Sequence, residues 1–280
     1  MTFSDLILHP KTRQALESYL KQPTHALLLT GSNGVGLGTI AKILAKEIAQ
    51  SNVAVIEPHI HDKQKTLSIN IEDIRELRTF TRSRHSDALC IVIDEAEKMT
   101  TNAPEAFLKA LEEPVSRIFY ILTTHAPAKL PLTIKSRAQT IEILPPLTTA
   151  YEKLLQAAPT KLTAAKRTQI AFLAERKPAE IVRLLTNEEY FRKQSSMMTA
   201  AKDFVQGNPA KRLEIIAGIT TRDAAISLSK NVAKLLLLTT SRAPNDRVAA
   251  NNLSVVSDVT ENLIQNGNVR AQLTYLALNI

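Results

Sequence analysis

Two hydrophobic rhythms divide the chain. Up to about residue 144, short unbroken apolar runs alternate with stretches in which apolar positions recur every three or four residues; beyond it only the second pattern continues. The run Leu89-Cys90-Ile91-Val92-Ile93 is rich in β-branched side chains and ends abruptly at Asp94 and Glu95. Such a run predicts a strand buried on both faces, as in the middle of a parallel sheet. Runs at His25–Thr30, Val53–Ile56, Ile118–Thr124 and Thr140–Leu144 predict its neighbours.

Helical spacing fills the intervals. An initial loop and helix in 1–22 place Ala15, Leu16 and Tyr19 on one face and stop at Pro23, whose ring cannot continue a helix. Ile40, Ile43, Leu44 and Ile48 mark a second helix. A third opens at Asn70 as N-cap with acids in its first turn and Ile71, Ile74 and Leu77 on one face. Residues 103–113 form a fourth, with Ala106, Phe107, Ala110 and Leu111 inward and Glu112-Glu113-Pro114 closing it. Strands alternating with helices predict an α/β domain built on a parallel sheet.

Pro145-Pro146 marks the first boundary. The next helices place Ile170, Leu173 and Ala174 inward, then run from Lys177-Pro178 into Ile181, Val182, Leu184 and Leu185. Leu235 to Leu238 read as a buried run, and Val269, Leu273, Leu276 and Ile280 recur at helical spacing. The expected organisation is an α/β domain at 1–145, a small helical domain at 146–188 and an all-α domain at 189–280. A helical tail of that size with no catalytic constellation suggests assembly.

Candidate chemistry lies at the strand ends. Of the seven glycines, four fall between Gly31 and Gly38, namely Gly31, Gly34, Gly36 and Gly38. A strand, a glycine-rich turn and an apolar-periodic helix form the setting of a phosphate-binding loop. A working loop places lysine on the β- and γ-phosphates and Ser or Thr on Mg²⁺; here those positions are Leu37 and Gly38, with Thr39 one residue late. The loop therefore reads as a retained fold element with impaired ATP use. At the end of the central strand, Asp94 would hold Mg²⁺ and Glu95 would orient an attacking water; the plain alternative is an acidic pair that ends a strand and starts a helix. Thr123 and Thr124 end another strand, where a γ-phosphate could be sensed.

Composition narrows the classes. Hydrophobic residues make up 44% and charged residues 22%, as in an ordinary soluble protein. Neither a basic segment leading into an apolar core at the N-terminus nor a bilayer-length run is found, so a cytoplasmic location is expected. The net charge of +8 permits contact with a polyanion, but aromatic residues are only 4% and tryptophan is absent, so DNA contacts should be to phosphates. The single cysteine, Cys90, reads as a small core hydrophobe. His59-Ile60-His61-Asp62 invites a metal, but no matching partner cluster is found in the sequence, and a solvent-exposed loop is expected.

Together these segments resemble the bacterial clamp-loader branch of AAA+ proteins, and within it the delta-prime type. The resemblance rests first on Val92-Ile93-Asp94-Glu95-Ala96-Glu97-Lys98-Met99 with Ala106-Phe107-Leu108-Lys109-Ala110-Leu111-Glu112-Glu113-Pro114, similar to the family's Walker B strand and following helix. It rests next on Ile121-Leu122-Thr123-Thr124 through Leu130-Pro131 to Ser136-Arg137, where the family places sensor 1 and then a Ser-Arg-Cys motif. Ile69-Asn70-Ile71-Glu72-Asp73-Ile74-Arg75-Glu76-Leu77 also fits the family pattern. The motif cysteine is Ala138 here, and the family's four-cysteine zinc module is absent, so no metal is expected. In the sensor 2 region, Arg176 to Arg183, Glu180 stands where an arginine belongs.

The resemblance implies an AAA+ P-loop domain, a helical lid and a C-terminal collar. It implies a non-hydrolysing delta-prime-like subunit of a DNA polymerase III clamp loader, with no tightly bound cofactor of its own. Arg137, beside Ser136, would act in trans on ATP and Mg²⁺ held by a neighbouring subunit. The implied partners are gamma/tau and delta subunits and, through the complex, the sliding clamp and primed DNA; no membrane is involved. The alternatives are an active gamma/tau-type ATPase and, on the basic charge alone, a stand-alone DNA-binding protein.

Overall fold

The computed structural model describes residues 2–61, 66–82, 87–113, 115–147, 152, 154–155, 162–242 and 247–280. Asp62 and Pro114, along with much of 148–161, lie outside the described residues. The described chain divides into two compact units, Met1–Thr186 and Asn187–Ile280.

The first unit is built on five parallel strands: β1 (Ala26–Thr30), β2 (Val53–Ile56), β3 (Leu89–Ile93), β4 (Ile118–Thr124) and β5 (Gln139–Glu142). They lie side by side in the order β2-β3-β4-β1-β5. β2, β3 and β4 coincide with the runs seen in the sequence, and β1 starts one residue later. β5 is shifted, starting at Gln139 and ending at Glu142, because it is an edge strand of which only Ile141 is buried.

Period-two alternation sends successive side chains to opposite faces. Leu27, Leu29, Cys90, Val92 and Ile121 face helices α1 (Pro10–Lys21) and α2 (Leu37–Ala49), where Leu16, Tyr19, Ile40 and Leu44 meet them. Leu28, Ile91, Ile93, Tyr120 and Leu122 face α3 (Ile71–Arg82) and α4 (Ala103–Glu112), against Ile74, Leu77, Phe107 and Leu111. Phe107 meets Tyr120 edge-on with centroids 5.2 Å apart. The central strand is thus dry on both sides, and burial pushes the Cys90 thiol from its ordinary 9.0 up to about 12. A short helix α5 (Leu132–Lys135) precedes β5, and α6 (Ala164–Ala174) and α7 (Pro178–Thr186) complete the unit.

The second unit is helical: α8 (Glu188–Gln206), α9 (Pro209–Ala217), α10 (Arg222–Arg242), α11 (Arg247–Ile264) and α12 (Val269–Asn279). Asparagines cap three of the helices, Asn187, Asn208 and Asn268 each accepting a backbone N–H from the first turn at 2.9–3.0 Å. At the other pole Arg222 donates to the carbonyls of Leu263 at 2.6 Å and Gly267 at 3.0 Å, satisfying the end of α11. Leu273 and Leu276 are buried as their spacing predicts. The run Leu235–Leu238 is not: Leu236 is buried, but Leu237 is 53% and Leu238 is 44% exposed. Four consecutive positions advance about 100° each around a helix, so they cannot all face one core.

Candidate nucleotide-binding-like crevice

The C-terminal ends of β1, β3 and β4 converge, and in an open parallel sheet this is where ligands bind. Gly31 follows β1 and donates its N–H to the Thr124 carbonyl at 3.4 Å. The loop then needs left-handed backbone at Gly34 (φ 88°) and Gly36 (φ 94°), which glycine adopts without steric cost. Gly36 is the N-cap of α2.

Local sequence dictates what fills this loop. Leu37 is buried with Val35, and a Cβ on Gly31 would meet Val35 Cγ2 at 3.1 Å and Leu37 Cδ2 at 3.3 Å. The lysine position therefore carries an apolar side chain turned under the loop into the core. Gly38 is closed from the other side. A Cβ there would lie 2.5 Å from Asp94 Oδ2 and 3.0 Å from Asp94 Oδ1, so the carboxylate sits against the α2 backbone where a serine or threonine hydroxyl would stand. Thr39, on the same helix, lines a mostly apolar cavity of about 470 Å³ together with Leu6, Leu8, Pro178 and Val182.

Thr123 holds Asp94 in place. Its hydroxyl donates to Asp94 Oδ1 at 2.5 Å and accepts the Glu95 N–H at 2.9 Å, so both roles of the hydroxyl are taken inside the crevice. Thr124 is equally buried and accepts the Ala126 N–H at 3.1 Å. Both hydroxyls thus have partners within the protein, Thr123 as donor and acceptor and Thr124 as acceptor. Glu95 occupies left-handed backbone at φ 50°, and its carboxylate pairs with Lys98.

Further residues shape the site, among them His125, which the sequence did not single out, and the start of the sensor 2 region. His125 places Nδ1 2.9 Å from the Gly31 carbonyl, which can only accept, so Nδ1 carries the proton. The His125 N–H in turn donates to Glu97 Oε1 at 3.0 Å, tying β4 to both neighbouring strand ends. Ala179, at the start of α7, donates to the Gly34 carbonyl at 3.0 Å, and Glu180 does so at 3.3 Å. The left-handed pair Glu175 (φ 51°) and Arg176 (φ 64°) makes the turn that brings α7 there. The contacts themselves are not visible in the sequence, since each joins residues far apart in the chain.

Ser136 and Arg137 occupy a different environment. Both are exposed at the end of α5. Arg137 Nη2 pairs with Glu112 Oε1 at 3.0 Å, and Nη1 donates to the Thr133 carbonyl at 3.1 Å and faces Ser136 Oγ at 3.4 Å. Ser136 Oγ also donates to the Thr133 carbonyl at 3.1 Å.

The family model described as DNA polymerase III, delta subunit, matches residues 8–147, half of the chain. Subunit tau of DNA polymerase III from Bacillus subtilis is 29% identical over 157 residues, covering 49% of this chain and 28% of that protein. Subunit delta' of DNA polymerase III from Pseudomonas aeruginosa is 26% identical over 235 residues, covering 74% of this chain and 65% of that protein. The chain thus spans about a quarter of the length of the tau relatives it matches. A crystal structure of a DNA polymerase III gamma subunit-related protein from Thermotoga maritima is similar with a TM-score of 0.56 at 19% identity, covering 94% of this chain and 97% of that one. A RuvB variant from the same organism gives a TM-score of 0.53 at 16% identity, covering 78% of this chain and 84% of that one, and both structures speak for the fold alone.

A β2-β3-β4-β1-β5 parallel sheet with a glycine loop after β1, two acids after β3 and a hydroxyl after β4 defines an AAA+ module. The match over 8–147 places the chain more narrowly: it belongs to the family described as DNA polymerase III, delta subunit.

Proposed function

We propose that this chain is a non-hydrolysing, delta-prime-like subunit of a DNA polymerase III clamp loader. The observation that carries the reading is the filled phosphate loop, with Leu37 buried beneath it and the Asp94 carboxylate against Gly38. Phosphate binding needs a positive side chain and open N–H groups, and a carboxylate in the hydroxyl's place repels a γ-phosphate. Were Mg·ATP to enter, Asp94 would be its Mg²⁺ ligand and the loop amides its phosphate contacts.

In this reading the subunit contributes Arg137 instead. The guanidinium would turn from Glu112 towards ATP held by a neighbouring gamma/tau subunit and stabilise charge developing on the γ-phosphoryl group. Ser136 helps hold its stem. Residues 1–145 form the AAA+ body, 146–188 a lid and 189–280 a collar that joins delta and gamma/tau subunits. The assembly would place a sliding clamp on primed DNA in the cytoplasm. Among the described residues no helix is long and apolar enough to cross a membrane.

The test is a reconstituted loader in which this chain carries Arg137→Ala. ATP turnover should fall by about a thousandfold or more at the site facing this subunit. An unchanged rate removes Arg137 from the mechanism. An active gamma/tau-type ATPase is the second reading, favoured by the intact Asp94–Thr123 pair and by the tau relatives. It requires turnover by the isolated chain that Glu95→Gln abolishes.

A further inference from the structure

His59 and His61 gain a partner that the sequence did not pair with them. The segment leaving β2 folds back as a narrow ribbon, with His59 and Ser68 exchanging backbone hydrogen bonds at 3.1 and 3.0 Å. Ile69 then pairs with the segment after β3, its N–H reaching the Lys98 carbonyl at 3.0 Å, and the chain enters α3 at Ile71. This return sets the first turn of α3 against the two histidines. The expectation that they lack a matching cluster is therefore corrected: Asp73 completes one.

We propose that His59, His61 and Asp73 bind one divalent transition-metal ion of the zinc class. His59 Nε2 lies 3.6 Å from Asp73 Oδ1 and His61 Nε2 lies 3.4 Å from Asp73 Oδ2. One donor atom from each residue falls within 4.8 Å of the others. Ligands at about 2.0–2.1 Å from a tetrahedral zinc are separated by about 3.4 Å, and each histidine already stands near that spacing from one carboxylate oxygen, His59 from Oδ1 and His61 from Oδ2. The rings themselves stand with centroids 4.0 Å apart, which brings two nitrogen ligands to one side of the carboxylate.

The surrounding contacts orient the donors. His59 Nδ1 lies 3.3 Å from the Glu57 carbonyl, to which it donates, leaving the Nε2 lone pair on the side of Asp73. Asp73 Oδ2 accepts the Asn70 N–H at 2.7 Å, which fixes the carboxylate at the start of α3. His61 Nε2 donates to the Ser68 carbonyl at 3.1 Å in the metal-free arrangement. On binding, the imidazole changes tautomer, its proton passing through solvent from Nε2 to Nδ1, and the Ser68 carbonyl or a water takes the fourth position. Imidazole nitrogens with one carboxylate suit a borderline cation such as Zn²⁺ better than Ca²⁺ or Mg²⁺, which prefer oxygen alone. The set differs in kind from a thiolate cluster, since the single cysteine is buried in β3. Its role is structural: the ion would staple the ribbon after β2 to α3.

The probe is Zn²⁺ itself, added to the chelator-treated full chain in competition with a chromogenic chelator. One equivalent should bind, with a rise in melting temperature that tracks occupancy. The His59→Gln/His61→Gln variant should lose more than about tenfold in affinity and the thermal shift with it. Co²⁺ should give the visible absorption of a tetrahedral nitrogen–oxygen site without a thiolate charge-transfer band. Absence of a saturable site in the unsubstituted chain, or equal affinity in the double variant, would overturn the proposal.

Discussion

The crevice after β1, β3 and β4 and the edge at Ser136-Arg137 make opposite use of their polar groups. In the crevice, Thr123 bridges the Asp94 carboxylate and the Glu95 N–H, the Gly31 and Gly34 carbonyls accept from His125 and the start of α7, and the lysine position is apolar and buried. At the edge, Arg137 is 37% exposed and held by an ion pair to Glu112, itself 50% exposed, and by hydrogen bonds within its own turn to the Thr133 carbonyl and Ser136 Oγ. An exposed ion pair of that kind is worth about 0–1 kcal/mol, so a better acceptor can take the guanidinium at little cost. A site closed on itself beside a charge loosely held at the surface suits a subunit that assists chemistry elsewhere.

The contrast can be broken most forcefully in the assembled loader. Arg137→Ala should cut ATP turnover at the site facing this subunit by about a thousandfold or more, whereas Glu95→Gln, which disables a hydrolysing Walker B site, should leave the rate unchanged. Equal losses from the two variants would erase the distinction between edge and crevice.

Next in size is Thr123→Val, measured by chemical denaturation of the chain. It keeps the shape but strands the Asp94 carboxylate and the Glu95 N–H, and should cost about 2–3 kcal/mol. A smaller effect, about 1–2 kcal/mol, is expected for Gly38→Ser, because Asp94 must swing away from a new Cβ and weaken its bond to Thr123. Stabilisation by Gly38→Ser would show that the carboxylate has no hold on that space.

The smallest effect concerns the strand beneath the crevice. Cys90 binds its proton more tightly folded than unfolded, with a folded value of about 12 against an ordinary 9.0. Its contribution is complete below pH 9 and is lost as pH rises from 9 towards 12; at pH 10 the loss is about 1.4 kcal/mol. Denaturation midpoints between pH 8 and 10 should show that slope, and Cys90→Ala should remove most of it, the buried Tyr19 and Tyr120 hydroxyls, also shifted upward, keeping a smaller share near pH 10. The same slope in both proteins would place water beside β3.

Much of this was legible from local pattern. The all-apolar run at Leu89–Ile93, the glycines from Gly31 to Gly38 and the stripe through Ile71, Ile74 and Leu77 each announce an element within a dozen residues. The apolar run at Leu235–Leu238 misled about burial, because four consecutive leucines on a helix advance about 100° each and cannot share one face. The closure of the loop was half visible. Leu37 and Gly38 reveal the missing lysine and hydroxyl, but only packing between residues far apart shows Asp94 moving into the space. Likewise Asp73 reads as a helix-start acid until the ribbon brings His59 and His61 to it.

The most direct measurement is equilibrium binding of Mg·ATP to the isolated chain. A loop filled by Leu37 and closed by Asp94 predicts no saturable, Mg²⁺-dependent binding at micromolar nucleotide. Tight binding that requires Mg²⁺ and is lost in Asp94→Ala would contradict it, and would make this chain an ATP-using subunit in its own right.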